Sequence, residues 1–130
     1  MDRLEMITAL YASLCGLLVV FMAVRVSYTR GEQKVNLGDG GKDAMLRAIR
    51  IHGNAVEYIP LSLILMYFLE MQGSPHWFLH VLGITLIVSR LLHMQGLMQT
   101  SALSPGRLVG TGLAWALLVV MSLDNMIHLI

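Results

Sequence analysis

Long uncharged segments constrain the fold of this chain more than any other feature of its sequence. The first runs from Met6 to Val24, 19 residues without a charge, and at 1.5 Å per residue it can cross a hydrocarbon core of about 30 Å. Only 13% of all residues are charged and 56% are hydrophobic, whereas a soluble domain carries about 25% charged residues. The sequence therefore predicts an all-α integral membrane protein.

Turn residues separate the first apolar segment from three others. A polar loop at residues 31–42 contains a Gly-Asp-Gly-Gly sequence that permits a tight reversal. Asp43 is expected to cap the second helix, and the pairs Ser74-Pro75 and Ser104-Pro105 are expected to open the third and fourth. The sequence thus predicts one transmembrane domain over residues 1–130, a four-helix bundle with spans at about residues 5–27, 43–71, 75–98 and 106–129.

The basic residues predict how the bundle is oriented. Eight of the nine Lys and Arg residues fall at one end of a four-span arrangement, and only Arg3 falls at the other. The positive-inside rule then places both basic loops in the cytoplasm and both termini outside. The net charge of +1 and the lack of a basic tract interleaved with aromatic residues argue against a nucleic-acid partner.

A row of polar side chains lines one face of the second helix where its apolar segment begins. Ionic groups in a membrane span cost several kcal/mol unless they are paired or bound, so they mark a candidate functional site. Two interpretations stay open: Arg50 and Glu57 pair only with each other or with a neighbouring helix, or the face binds a polar ligand. At 100° per residue, an arc of about 100° holds Arg47, Arg50, Asn54, Glu57 and Tyr58.

Further polar residues fall at the corresponding ends of the third and fourth helices. Arg90 and His93 share a face at i, i+3, and Arg107 lies in the first turn of the fourth helix. A pocket at this level is net positive and contains one carboxylate, Glu57. It suits a ligand with several carboxylates and one amine, because arginine binds carboxylates through two parallel bonds. Glutathione has these groups, and a phospholipid headgroup or an acidic metabolite also fits. The five histidines show no metal-ligand grouping, so no metal site is predicted.

The second-helix pattern resembles a known family. Arg50-x3-Asn54-x2-Glu57-Tyr58, followed two residues later by Pro60, is similar to the second-helix signature of the MAPEG superfamily. These are the membrane-associated proteins in eicosanoid and glutathione metabolism, and they include microsomal glutathione transferases.

The third and fourth helices extend this resemblance to nearly the whole chain. Arg90-x2-His93-x2-Gly96 resembles the end of the family's third helix, and Arg107-Leu108 resembles the start of its fourth. The likeness is greatest to the short bacterial branch, which includes small inner-membrane proteins. The chain departs from the family at this helix end, where the well-studied enzymes carry tyrosines one turn apart and this chain has His93 and Leu97; Leu97 cannot form a hydrogen bond.

The resemblance implies a homotrimer in a bacterial inner membrane and a glutathione-dependent transferase or peroxidase acting on lipophilic electrophiles or hydroperoxides. Glutathione is expected at each subunit interface near the cytoplasmic side, with the lipophilic substrate arriving from the bilayer. Arg107 is expected to lie near the sulfur and to favour its thiolate. The residues expected to bind glutathione are Arg47, Arg50, Asn54, Glu57, Tyr58, Arg90 and His93.

Two other functions are alternatives for a chain with these features. A non-enzymatic protein of the same fold would use the polar face to hold a lipid headgroup or another anionic ligand. A small multidrug exporter would need a membrane-embedded acid in the first span, and Met6 to Val24 contains none.

Overall fold

The computed structural model describes residues 6–130, and it confirms the predicted all-α bundle. Its four helices are α1 (Ile7–Gln33), α2 (Asp43–Met71), α3 (His76–Gln99) and α4 (Pro105–Ile127). Successive helices run in opposite directions, as bonds between their ends show. The Glu70 carboxylate near the end of α2 accepts the first amides of α1, and Arg47 near the start of α2 donates to the Met98 carbonyl at the end of α3.

The outer surface of the bundle suits a lipid environment. By length and composition, α1, α3 and α4 can each cross a membrane. Large apolar side chains such as Leu17, Phe21 and Val119 are exposed along them, and a surface this apolar is not typical of a soluble monomer. At 29 residues α2 is the longest helix, and it carries the polar face. A fourth crossing by α2 stays a prediction, as does the orientation of the bundle.

The first helix is longer than the sequence suggested. It continues to Gln33, through residues expected in the loop and beyond the predicted end near residue 27. Arginine, glutamate and glutamine are good helix formers in water, so the helix has no reason to stop at the membrane boundary. Lys34 then ends the helix with a left-handed φ of 55°. Arg30 Nη1 donates to the Gly38 carbonyl at 2.8 Å and so holds the following loop against the end of α1.

The expected cap of α2 was wrong. Lys42 occupies the N-cap position, and Asp43 is the first residue of the helix. The Asp43 carboxylate instead accepts from Arg47 Nε at 3.0 Å and from the Ser101 hydroxyl. It therefore joins the start of α2 to the loop between α3 and α4.

The two Ser-Pro signals had different outcomes. Ser104 caps α4 as predicted, because its hydroxyl accepts from the Arg107 amide at 3.4 Å and Pro105 is the first helical residue. In α3 the N-cap is Pro75 and the helix begins one residue later than expected. Ser74 Oγ is buried and has no hydrogen-bond partner among residues 6–130.

Glycines let α3 and α4 approach closely, and this contact positions the candidate site. A Cβ at Gly96 would lie 2.5 Å from the Arg107 amide nitrogen, and one at Gly110 would lie 2.6 Å from the Ser89 carbonyl oxygen. Both distances are shorter than van der Waals contact allows. The small residues therefore bring the backbone of α4 within reach of Arg90 on α3.

Candidate functional site

Arg90 lies at the centre of the polar groups and is only 1% exposed. Its Nε donates to Ser89 Oγ at 3.2 Å, one Nη donates to Asn54 Oδ1, and the other donates to the Gly110 carbonyl at 3.0 Å. Its Cζ lies 5.0 Å from the centroid of the Tyr58 ring, within the range of a cation–π contact. Each of these partners is neutral, so none of them cancels the positive charge of the guanidinium.

The bond from Arg90 fixes the orientation of Asn54. A guanidinium can only donate hydrogen bonds, so the amide oxygen of Asn54 must face it. The amide nitrogen of Asn54 then points away from Arg90, with two N–H groups to donate. One turn later on α2, Tyr58 receives a hydrogen bond from Trp115 Nε1 at 2.8 Å.

Arg50 and Glu57 form an ion pair, as one of the two interpretations expected. The guanidinium nitrogens lie 3.3 to 3.5 Å from the carboxylate oxygens. The two side chains are 47% and 55% exposed, and pairs this exposed contribute about 0–1 kcal/mol. The pair is therefore weak enough for a charged ligand to separate its members.

His93 lies within electrostatic range of the predicted charges. It is buried one turn beyond Arg90, and the charges of Arg50, Glu57, Arg90 and Arg107 all act on its ring. The structure thus brings together residues from α2, α3 and α4 that are up to 57 positions apart in the sequence. Three of the four charges are positive.

Arg107 is held by the loop that precedes its helix. It lies in the first turn of α4 and is partly buried. Its Nη1 donates to the Ser101 carbonyl at 3.2 Å, which leaves further N–H groups of the guanidinium for a ligand. This position at the N-terminus of α4 adds the positive end of the helix dipole to the charge of the side chain.

Arg47 has a different place from the other residues of the predicted face. Its Nη1 donates to the carbonyls of Leu97 and Met98, so it caps the end of α3. It also lines a cleft of about 200 Å³ between α1 and α2, together with Arg25 and Glu32. The helical arc predicted Arg47 beside Arg50, but the long side chain of Arg47 reaches the end of α3 instead.

Sequence reasoning missed three groups that build the site: the Ser89 hydroxyl, the Gly110 carbonyl and the Trp115 indole. Trp115 lies eight residues after Arg107, about 80° around α4, so both residues fall within one helical face of about 100°. That spacing was the available signal. The Gly110 carbonyl had none, because only the crossing of α3 and α4 brings it to Arg90; the Ser89 hydroxyl belongs to the residue that precedes Arg90 on α3.

Comparison with known proteins identifies the family. The sequence profile of the MAPEG family matches residues 8–127. The inner membrane protein YecN of Escherichia coli K12 is 42% identical over 121 residues, which cover 93% of this chain and 91% of that protein. YecN of Escherichia coli O6:H1 shows the same identity and coverage. With a profile match over almost its whole length and relatives this similar, the chain is a membrane protein of the MAPEG family.

Proposed function

We propose that this protein is an inner-membrane, glutathione-dependent transferase or peroxidase that acts on lipophilic electrophiles or hydroperoxides. The observation that carries the proposal is Arg90, a buried guanidinium bonded only to neutral groups in the described part of the chain. Burying a charge in this way is costly unless an anion neutralises it. An anionic ligand beside Asn54 and Tyr58 would do so.

The charges around His93 match glutathione. Three guanidinium groups and one carboxylate act on this ring, a net formal charge of +2. Glutathione carries two carboxylates and one ammonium, and its thiolate form has a net charge of −2. Arg50 can bind a carboxylate through two parallel hydrogen bonds, while Glu57 holds the ammonium. The ligand thus replaces a weak internal ion pair with two ion pairs of its own.

Arg107 supplies the chemistry at the sulfur in this proposal. A thiol has a pKa of about 8.5, and a nearby cation lowers that pKa, so more of the thiol is thiolate at neutral pH. The thiolate donates its electron pair to the electrophile, a carbon–sulfur bond forms, and the leaving group departs with its electrons. With a hydroperoxide, the sulfur attacks the outer oxygen and the alcohol is released. A second glutathione then reduces the resulting sulfenic acid to a disulfide and water.

The bilayer supplies the second substrate. The exposed surfaces of α1, α3 and α4 are apolar, so lipophilic electrophiles would be concentrated in the lipid around the bundle. Reaction at the cytoplasmic ends of the helices would bring them to a thiol that arrives from water, which gives the rate advantage of proximity. Family membership and the inner-membrane relatives support a location in the inner membrane. The homotrimer that the family implies would enclose the half-exposed ion pair of Arg50 and Glu57.

Calorimetric titration of the purified protein with glutathione tests the proposal. Arg50→Ala, Glu57→Ala and Arg107→Ala are each expected to weaken binding by about tenfold or more, because each removes a charge-assisted bond worth about 1.5–3 kcal/mol. Lys42→Ala is the matched control, since it removes an exposed charge from the same end of the bundle. Glutathione binding that is unchanged in all three variants would refute the proposal.

One observation favours a second function, the binding of a lipid headgroup. Leu97 is buried and apolar where the family's studied enzymes have a tyrosine, so glutathione would have one polar contact fewer. Native mass spectrometry separates the two functions. A phospholipid retained by the wild type but lost in Arg50→Ala, with no bound glutathione, would favour the second.

A further inference from the structure

Trp115 binds the phenol of Tyr58 in a way that determines which group donates. Its Nε1 lies 2.8 Å from the Tyr58 hydroxyl oxygen and joins α4 to α2. An indole N–H can only donate, whereas a phenol can donate once and accept twice. The oxygen of Tyr58 is therefore the acceptor, and the hydroxyl proton remains to be donated elsewhere.

A second contact holds the ring of Tyr58 in place. The guanidinium carbon of Arg90 lies 5.0 Å from the ring centroid, so one residue contacts the face of the ring and another contacts its hydroxyl. Arg90 also turns the amide nitrogen of the neighbouring Asn54 away from itself. Two donor-only side chains, Arg90 and Trp115, thus leave hydrogen-bond donors on adjacent turns of α2.

The bond from Trp115 also strengthens the hydroxyl as a donor. A group that accepts one hydrogen bond becomes polarised and donates its own more strongly, by about 10–30% per bond. The effect is largest where the surroundings are apolar, because the local dielectric constant is low.

Trp115 places this donor at the outer surface of the protomer. It lies eight residues beyond Arg107 on α4, which is about 12 Å along the helix axis. Its side chain is 59% exposed on the outer surface of the protomer. The Tyr58 hydroxyl therefore lies about two helical turns further along the bundle than Arg107, next to an indole exposed on the surface of the protomer.

We infer that Trp115 is a positioning residue, which aims the Tyr58 hydroxyl as a donor to an anionic atom of bound glutathione. The inference rests on the proposed function and adds to it a residue outside the family signature. It predicts that the indole N–H acts on the ligand only through Tyr58. Removing it should therefore matter only while the phenol hydroxyl is present.

A double-mutant cycle tests this coupling. Trp115→Phe and Tyr58→Phe are each expected to raise the Kd for glutathione about fivefold, and the double variant is expected to be no weaker than Tyr58→Phe alone. Trp77→Phe is the matched control, because Trp77 is the other tryptophan, is 68% exposed and contacts Phe78 on α3. Its Kd should stay within about twofold of the wild type.

The fluorescence of the same variants gives a readout that a merely structural role would not change. Trp77→Phe leaves Trp115 as the single tryptophan, and its emission should change on glutathione binding with the Kd found by calorimetry. Trp115→Phe leaves Trp77, whose emission should not change.

Each result of these experiments decides the inference. Wild-type binding with an unchanged Kd in a folded Trp115→Phe overturns the role of Trp115 and leaves the proposed function standing. A wild type that does not bind glutathione overturns both. If Trp115→Phe does not fold, Tyr58→Phe and the Trp115 emission decide: an unchanged Kd, or no change in emission, overturns the inference.

Discussion

Replacing Arg90 by methionine is expected to weaken ligand binding roughly 100-fold while the ligand-free protein stays at least as stable as the wild type. Methionine has an unbranched, flexible side chain that can occupy the space of the arginine stem. Of the three acceptors that lose a bond, Ser89 Oγ still donates to the Leu86 carbonyl at 2.7 Å, and the Gly110 carbonyl remains in the hydrogen-bond ladder of α4. Asn54 Oδ1 loses its partner, but Asn54 is only partly buried.

The energies gained and lost in ligand-free Arg90→Met indicate that this variant is not destabilised. One acceptor without a partner costs about 1–3 kcal/mol. Removing a buried guanidinium with no carboxylate beside it recovers several kcal/mol of desolvation. We therefore expect a free energy of unfolding between that of the wild type and about 2 kcal/mol above it. Loss of a unit charge about 5 Å from an anionic ligand costs about 3 kcal/mol at an effective dielectric constant of 20, which is roughly a 100-fold rise in Kd.

Denaturant unfolding of the ligand-free protein and calorimetry with glutathione measure the two effects separately. Arg30→Met is the matched control, because it removes a guanidinium that, within residues 6–130, bonds only to the carbonyls of Val35 and Gly38, and it should leave the Kd unchanged. If Arg90→Met lowers the ligand-free stability by more than about 3 kcal/mol, Arg90 is a structural residue and the argument from its unneutralised charge fails.

Two further predictions concern the helix contacts that support the site. In a denaturant titration, Gly110→Ala should lower the free energy of unfolding by about 1–3 kcal/mol, because its Cβ would lie 2.7 Å from the His93 amide nitrogen. Gly112→Ala is the control: its Cβ meets open space, so it should be neutral or slightly stabilising. Glu70→Gln should lower stability by about 1 kcal/mol, since the carboxylate accepts the Thr8 amide at 3.0 Å at the start of α1. The Kd of Glu70→Gln for glutathione should match that of the wild type. A large change in this Kd would show that the far end of the bundle is coupled to the site.

The sequence predicted the helices and the polar face because both follow from periodicity along one chain. Uncharged length fixes where a helix can cross lipid, and the 100° step between residues puts Arg50, Asn54, Glu57 and Tyr58 on one side of α2. These features depend on local geometry only. The end of α1 was misplaced because the prediction treated the membrane boundary as a helix boundary.

What the sequence could not predict are contacts set by the register between helices. Arg47 shares the arc of Arg50, but the height of α3 beside α2 lets its side chain reach the Met98 carbonyl. The Trp115 bond to Tyr58 and the Gly110 bond to Arg90 likewise depend on how deeply α4 packs against α2 and α3. Periodicity gives the faces of helices but not the relative heights at which they meet.

The central claim is that guanidinium groups near the cytoplasmic ends of the helices converge on an anionic ligand. Thiolate absorbance at about 240 nm, followed while the purified protein is titrated with glutathione at neutral pH, tests it most directly, because a cation placed at the sulfur lowers the pKa of the thiol. We predict a saturable rise in thiolate that is lost in Arg107→Ala and retained in Lys42→Ala. A wild-type protein that produces no thiolate, or produces the same amount without Arg107, would contradict the account.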